Sequence, residues 1–396
     1  MDDEKRPPTP APRRLLEVDF LRGASILVIF WNHLLLLVQT SGYLQRSPFR
    51  IHYGFSDSAA IFVFFSGFVS GIVYDKQLEL KGFVATQVKG LKRAGQIYGA
   101  QLLTLGILIT CAFLWPGRGS LDSLHHQLED FARHPVSEGI GLVSLQSCLD
   151  YVDILPFYVV AILLVPLTLL GFRKNPSWTL FLSASVYLSM QVLRALNYTL
   201  WMPDWFVNPF AWQVLFVLGT YLGFRWRHHS LGIRKSKPLA AFAFAVVLFS
   251  FLKIPSIQSL LVLHFHTGGI PQFASLAVPF IQKDLLEPVF FLHFLCLGYL
   301  GWMFAPQFKK FAYTSFARPF VIVGQHSLLL YCVATVLEYA LCHFVVKAGG
   351  SAWSFLAGGA LGWCAILGAS MALWFRPEPR RSALTPADGQ SSSAIG

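Results

Sequence analysis

Long uninterrupted apolar runs constrain the fold of this 396-residue chain more than any other feature. Most of the runs contain roughly 16 to 25 residues, and a helix of that length crosses a hydrocarbon core about 30 Å thick. They cover residues 20–40, 56–74, 96–115, 153–171, 178–196, 208–224, 238–252, 286–304, 319–346 and 353–375. The sequence therefore predicts an all-α, polytopic integral membrane helical bundle of about ten transmembrane helices.

The composition supports the membrane class. Hydrophobic residues make up 55% of the chain and charged residues only 13%, whereas a soluble protein carries about 25% charged residues. One further apolar segment, residues 254–281, is interrupted by three prolines and two glycines. We expect a re-entrant or membrane-surface segment there, with an eleventh helix as the alternative.

The distribution of Lys and Arg predicts the orientation in the membrane. Ten crossings place both termini on one side, and basic residues concentrate on the cytoplasmic side of membrane proteins. If the N-terminus is cytoplasmic, the inner segments carry 22 basic residues and the outer segments eight. We therefore predict that both termini are cytoplasmic. This orientation also accounts for most of the net charge of +11 without nucleic-acid binding.

The ends of the chain differ in composition from the middle. Residues 1–14 and 376–396 are rich in proline, serine and charge, which predicts two disordered cytoplasmic tails around one membrane domain, residues 15–375. The six cysteines have no CxxC spacing and are typical of small core residues. The His264-x-His266 pair has no clear third ligand, so no metal site is predicted.

Two ionisable residues in the first apolar run are the strongest functional signal. Ionisable groups inside a membrane span are costly, and such groups are candidates for function. Arg22 and His33 are eleven residues apart, which places them on one helix face, about 16 Å apart along the axis. Asp19 lies three residues before Arg22 and can pair with it.

The two residues can be interpreted structurally or chemically. Structurally, Arg22 extends to lipid phosphates and His33 hydrogen-bonds a neighbouring helix. Chemically, a neutral imidazole accepts a proton from a hydroxyl, because its ordinary pKa of about 6.5 lies near working pH. Arginine binds phosphate. Their alignment on one face favours the chemical interpretation.

Other polar residues lie at the predicted outward ends of the helices. Each is also compatible with a cap, a salt bridge or an interfacial group. Together they predict a cavity suited to a sugar, whose hydroxyls need hydrogen-bond partners and whose faces stack on aromatic rings. These residues are Asp57, Asp153, Asn208, Trp212, Lys283, Asp284 and His293. By contrast, Gly67-x-x-x-Gly71 indicates close helix packing, and Glu338 is expected to pair internally.

Several motifs resemble the OpgC family of the membrane acyltransferase-3 superfamily, and the resemblance spans nearly the whole helical chain. The motifs are Glu17-Val-Asp-Phe-Leu-Arg-Gly23, Phe30-Trp-Asn-His33, Tyr53-Gly-Phe-Ser-Asp57, Phe62-Val-Phe-Phe-Ser-Gly67, Tyr151-Val-Asp-Ile-Leu-Pro-Phe-Tyr158, Asn208-Pro-Phe-Ala-Trp-Gln213, His293-Phe-Leu295 and Gly324-Gln-His-Ser-Leu328. The sequence departs from the family at Ala60, where an acidic residue is frequent. Asp57 therefore acts alone, or the acceptor differs.

The resemblance implies a multi-pass enzyme of the bacterial inner membrane. It implies transfer of an acyl group from cytoplasmic acyl-CoA to hydroxyls of a periplasmic or cell-envelope glycan, as in glucan succinylation with succinyl-CoA as donor. No permanently bound cofactor is implied, and no particular oligomeric state. The catalytic candidates are His33, Arg22 and Asp57. The substrate-binding candidates are Asp19, Asn32, Arg93, Asp153, Asn208, Trp212, Lys283, Asp284, His293 and His326.

Two other functions are compatible with the sequence. In a transporter or exporter of a glycan or anionic solute, Arg22 and His33 would gate a proton or an anion. In a membrane scaffold they would have no chemical role. An enzyme consumes acyl-CoA and labels a glycan, a carrier moves an unmodified solute, and a scaffold does neither.

Overall fold

The computed structural model describes residues 15–45, 47–51, 53–114, 133–146, 148–196, 205, 207–228, 231–252 and 283–375. The helices in these ranges are α1 (Leu16–Thr40), α2 (Ser58–Leu114), α3 (Pro135–Val143), α4 (Ile154–Lys174), α5 (Pro176–Ala195), α6 (Pro209–His228), α7 (Lys237–Leu252), α8 (Pro288–Met303), α9 (Ala305–Ala312), α10 (Arg318–Gln325), α11 (Ser327–Lys347) and α12 (Ala352–Trp374). The predicted all-α fold is confirmed.

Five of the described helices are long and apolar enough to cross a membrane, namely α1, α2, α4, α11 and α12. A sixth span results if α8 and α9, which are bent by 71°, are counted together. The sequence predicts about ten spans, and the predicted spans 178–196, 208–224 and 238–252 coincide with α5, α6 and α7. Of these, α7 is apolar but only 16 residues long. The predicted tails, residues 254–281 and the His264-x-His266 pair lie outside the described residues.

Two predicted helix boundaries differ from the structure. The predicted spans 56–74 and 96–115 belong to one helical element, α2, whose 57 residues are interrupted only at Gly82. The charged segment between them remains helical because Lys, Glu, Gln and Ala favour helix, and glycine tolerates the positive φ of 74° at the break. Conversely, the predicted span 319–346 is divided into α10 and α11 at His326.

Glycines bring α2 and α6 into backbone contact. Gly67 and Gly71 of α2 face Gly219 and Gly223 of α6, and a Cβ atom at any of the four would collide with a carbonyl oxygen of the other helix. The packing role predicted for Gly67-x-x-x-Gly71 is therefore confirmed. Side chains larger than glycine at these four positions would force α2 and α6 apart.

A second close approach fixes α1 against α10. A Cβ atom on Gly23 would collide with the carbonyl oxygen of Phe320, and one on Gly324 would collide with that of Asp19. Because Arg22 adjoins Gly23, this contact determines the position of Arg22 relative to the start of α11.

Candidate functional site

Arg22 and His33 both contact α11. The Arg22 Nη2 donates to Ser327 Oγ at 2.6 Å, and His33 Nδ1 lies 3.3 Å from Glu338 Oε1. Each pair is separated by 305 residues in sequence, so α1 and α11 run parallel and in register over three turns. The predicted shared face of Arg22 and His33 is the face that α11 covers.

Glu338 belongs to the candidate site, although the sequence alone did not predict this. Its side chain is only 1% exposed, and its ion-pair partner is His33. Glu338 pairs inside the protein, as predicted. Its partner, His33, lies on α1, which is 305 positions away in the sequence but adjacent in space. The one available signal was spacing, because Ser327 and Glu338 are eleven residues apart, as are Arg22 and His33.

The contact with Glu338 determines which imidazole nitrogen can react. When Glu338 is ionised, its carboxylate only accepts hydrogen bonds, so Nδ1–H of His33 donates to it and Nε2 is the proton acceptor. The His33 side chain is 22% exposed. Among the described residues, Nε2 has no hydrogen-bond partner. This arrangement suits a general base.

A turn before α4 covers the imidazole ring. The rings of His33 and Tyr151 are 4.4 Å apart between centroids and inclined by 41°. Two tyrosines of α11 hold this turn, because Tyr331 Oη donates to the Tyr151 carbonyl at 2.7 Å and Tyr339 Oη donates to the Asp150 carbonyl at 3.0 Å. The helix that carries Glu338 therefore also positions the aromatic face beside His33.

Asp153 follows this turn and precedes α4. Its Oδ2 accepts a hydrogen bond from the backbone amide of Val207 at 3.0 Å. Burial raises the pKa of the Asp153 carboxyl to about 6, and the Val207 amide and the nearby His33 oppose part of this rise. Asp150 lies close enough to act on the same carboxyl. Asp153 and Glu338 are thus two acidic residues that interact with His33.

A cavity of about 440 Å³ opens beside Arg22. Its described lining includes four cationic side chains and no carboxylate. Tyrosine and serine hydroxyls and apolar side chains complete the wall, and the Arg22 guanidinium lies 5.5 Å from the centre of the Phe62 ring. The cations are Arg22, Lys89, Lys92 and Arg93. Such a lining suits a polyanion with an apolar extension.

Other basic residues hold the fold together. Asp75 of α2 is fully buried and accepts hydrogen bonds from Arg173 of α4 at 2.6 and 3.0 Å. It also contacts Arg227 and His228 at the end of α6, the latter at 2.6 Å. This cluster ties three helices together, so its two arginines are engaged in structure and do not line the cavity.

Asp57 lies at the start of α2. Its Oδ1 accepts a hydrogen bond from the Ala60 amide at 3.2 Å, and its Oδ2 is 3.4 Å from Lys283 Nζ. The structure thus joins two predicted site residues, Asp57 and Lys283, but neither lines the cationic cavity.

Three predicted substrate-binding residues organise the turn before α8. Asn208 Oδ1 accepts from the Ala211 amide at 3.2 Å and so caps α6. Trp212 Nε1 donates to the Asp284 carbonyl at 2.9 Å, and the Asp284 carboxylate lies 3.7 Å from Arg194. These three contacts therefore stabilise the start of α6 and the turn before α8.

Three other predicted substrate-binding residues lie apart from one another in the structure. The amide of Asn32 exchanges two hydrogen bonds of 2.9 Å with the backbone of Ile51, and these hold a loop against α1. Asp19 is buried where α1 meets α10. His326 is exposed at the break between α10 and α11.

His293 is fully buried, and both of its ring nitrogens are occupied. Nδ1 accepts from the Ser56 amide at 3.2 Å and contacts Ser56 Oγ at 2.6 Å. Nε2 contacts Ser250 Oγ at 2.9 Å. His293 therefore ties the loop before α2 to α7 and α8.

A family model described as OpgC protein matches residues 14–377, nearly the whole chain. The matched region includes α1 with Arg22 and His33, and α11 with Glu338. No curated protein and no solved structure matches the chain.

Proposed function

The chain belongs to the OpgC family, and we propose that it is a transmembrane O-acyltransferase of the bacterial inner membrane. It transfers an acyl group from cytoplasmic acyl-CoA to hydroxyls of a periplasmic or cell-envelope glucan. The observation that carries the proposal is the single face of α1, which presents Arg22 to a cationic cavity and His33 to a buried carboxylate.

The cavity is the proposed donor site. CoA carries several phosphate groups, and the four cations that line the cavity supply charge-assisted hydrogen bonds to them. Arg22 and Arg93 offer planar donors for bidentate contacts, whereas Lys89 and Lys92 act as point charges. The apolar wall suits the pantetheine arm.

The length of the donor matches the separation of the two residues. Arg22 and His33 are eleven residues apart, or about 16 Å along α1. The arm that joins the CoA phosphates to the thiol has a backbone of about twelve bonds, which corresponds to about four extended peptide residues and about 14 Å. The side chains of Arg22 and His33 cover the remaining distance. A donor with its phosphates at Arg22 thus presents its thioester to His33.

The proposed reaction uses His33 Nε2. It accepts the proton of a glucan hydroxyl, the oxygen forms a bond to the thioester carbonyl carbon, and the carbon–sulfur bond breaks. The thiolate then takes the proton from Nε2 and leaves as free CoA. Glu338 holds Nδ1–H and stabilises the imidazolium while the proton resides on His33. An acyl-histidine relay would use the same nitrogen.

The surroundings of His33 support a sugar acceptor. The carboxyl group of Asp153 accepts hydrogen bonds from hydroxyl groups, and the ring of Tyr151 offers a face for stacking. Both features lie beside the reactive imidazole. A hydroxyl-rich acceptor would therefore place one hydroxyl at His33 Nε2.

Mass spectrometry of cell-envelope glucans tests the proposal. Cells with the wild-type protein should yield acylated glucan, and cells with His33→Ala should yield unmodified glucan at equal membrane abundance. His343→Ala is the matched control, since it removes a buried histidine of α11 that does not contact His33 or Glu338 in any described hydrogen bond, and it should preserve acylation. Unchanged acylation in His33→Ala would contradict the proposal.

A carrier is the second candidate, because a His–Glu pair inside a helical bundle also suits a proton relay. Proteoliposomes separate the two functions. An enzyme releases CoA thiol and labels the glucan. A carrier moves an intact anionic solute or glucan across the membrane and does not consume acyl-CoA.

A further inference from the structure

Tyr331 lies between Arg22 and His33 on the helix that contacts both. Ser327, Tyr331 and Glu338 share one face of α11, because steps of four and eleven residues bring a side chain back to within about 40°. Ser327 contacts Arg22, and Glu338 contacts His33. Along α11, Tyr331 is therefore about 6 Å from the level of the Arg22 contact and about 10 Å from that of the His33 contact.

The ring of Tyr331 closes the end of the cationic cavity that points toward His33. Of the described α11 residues that line the cavity, Tyr331 is the nearest to Glu338, and neither Glu338 nor His33 belongs to the described lining. The ring lies nearly parallel to that of Phe62, with the centroids 6.5 Å apart and the planes inclined by 15°. Both side chains are buried. A donor arm that runs from Arg22 to His33 therefore has to displace the Tyr331 ring.

The hydroxyl group of Tyr331 reaches the turn on the other side of this barrier. It donates to the Tyr151 carbonyl at 2.7 Å, and the Tyr151 ring covers His33 with 4.4 Å between the ring centroids. One side chain thus closes the cavity and holds the residue that covers the proposed base. When a donor arm displaces the ring, the hydrogen bond to Tyr151 is lost.

We infer that Tyr331 is a positioning residue that couples the two substrate sites, so that the glucan binds well only after the donor arm has entered; this inference rests on the acyltransferase function proposed above. Entry of the arm moves the Tyr331 ring, releases the Tyr151 carbonyl and lets the Tyr151 ring move off the imidazole. Tyr339 still holds the neighbouring Asp150 carbonyl, so the turn stays attached to α11. Because coupling between two sites is reciprocal, bound glucan also favours donor binding.

Equilibrium binding of glucan to the full-length protein in detergent tests the coupling. The acceptor is glucan purified from cells that lack the protein, and the donor probe is S-(3-carboxypropyl)-CoA, a thioether that cannot transfer its chain. We expect the probe to lower the Kd for glucan by about threefold to tenfold, the range that one hydrogen bond supports. Adenosine 3′,5′-bisphosphate carries phosphate groups but no arm, so it should compete with the probe for the cavity and leave the Kd for glucan unchanged.

Two variants separate coupling from a general loosening of the turn. Tyr331→Phe keeps the ring and removes the bond to Tyr151, so it should bind glucan about as tightly without the probe as the wild type does with it. Tyr339→Phe is the matched control, because it removes the other tyrosine hydrogen bond to the same turn, and Tyr339 is outside the described lining of the cavity. Its Kd for glucan should still fall when the probe is added.

The outcomes distinguish the inference from the proposed function, because the same variants are assayed for glucan acylation in cells. A wild-type Kd that the probe leaves unchanged, or a full response to the probe in Tyr331→Phe, would overturn the inference even where acylation proceeds. An equal response to the bisphosphate would also overturn it, since the phosphate groups alone would then cause the change. A wild-type protein that neither acylates nor binds glucan would contradict the proposed function as well.

Discussion

His33 and His293 are two histidines of apolar helices whose surroundings differ. His33 is 22% exposed and has a carboxylate at one ring nitrogen. His293 is fully buried, with serine partners at both nitrogens. The Ser56 amide donates to Nδ1 of His293, so that nitrogen acts as an acceptor and the ring is held neutral. The partners, rather than the residue type, determine which histidine can exchange a proton.

The comparison also shows how each histidine is fixed. Glu338 leaves His33 one nitrogen for a substrate and compensates the charge that proton transfer creates. The serines around His293 offer no negative charge, but they join three segments of the chain. Substitutions at the two positions should therefore separate activity from stability.

The largest expected effect on activity is that of His33→Gln. Loss of a positioned base should lower kcat for glucan acylation by about 10² to 10⁴-fold, because proton transfer in the transition state contributes that much. The thermal midpoint in detergent should change little, since the side-chain amide of Gln can still donate a hydrogen bond to Glu338. A variant that retains more than a tenth of the wild-type kcat would remove His33 from the mechanism.

Glu338→Gln should have the next largest effect. The amide can still contact His33, but it no longer stabilises the imidazolium, so kcat should fall by about 10²-fold. KM for acyl-CoA should remain within about twofold, because the cationic cavity is unchanged. Glu338→Asp, which keeps the charge, should recover part of the activity. Equal losses in the Gln and Asp variants would indicate a packing role instead.

Arg93→Gln should have a smaller effect of a different kind. Removal of one cation from the cavity should raise KM for acyl-CoA by about fivefold to tenfold and leave kcat nearly unchanged. Lys235→Gln is the control, because this exposed residue does not line the cavity. A matching rise in KM in both variants would show that the overall charge, not the cavity, attracts the donor.

His293→Gln should have the smallest effect on activity. It disturbs the hydrogen bonds of Ser56 and Ser250, which should lower the free energy of unfolding by about 1 to 3 kcal/mol. Activity per folded molecule should stay within about twofold of the wild type. Thermal unfolding and kinetics measured on the same preparation test this separation. A stable but inactive variant would place His293 in the reaction.

Spacing within one helix was sufficient to predict the Arg22–His33 face. The role of Glu338 was not predictable in this way, because its contact with His33 joins residues 305 positions apart. For His293, residue type and apolar context suggested a site, but the serines that occupy its nitrogens come from two other segments. A local pattern reveals an ionisable group but not its partners.

Local sequence patterns were also insufficient to predict where some helices begin and end and how they pack. Apolar runs predicted the helical class and placed most helices. They did not predict that α2 continues through charged residues to a break at Gly82. The division between α10 and α11 at His326 was also missed, because the apolar run continues across it. The Gly23–Gly324 contact that seats α10 against α1 involves residues about 300 positions apart.

A sided transfer assay tests the central claim most directly, namely that one face of α1 connects a cytoplasmic donor to an external acceptor. Acyl-labelled CoA is sealed inside proteoliposomes and glucan is supplied outside. We predict that label appears on the external glucan while CoA remains inside, and that His33→Gln abolishes the transfer. Label that appears only when donor and acceptor share one side, or that persists in His33→Gln, would contradict the account.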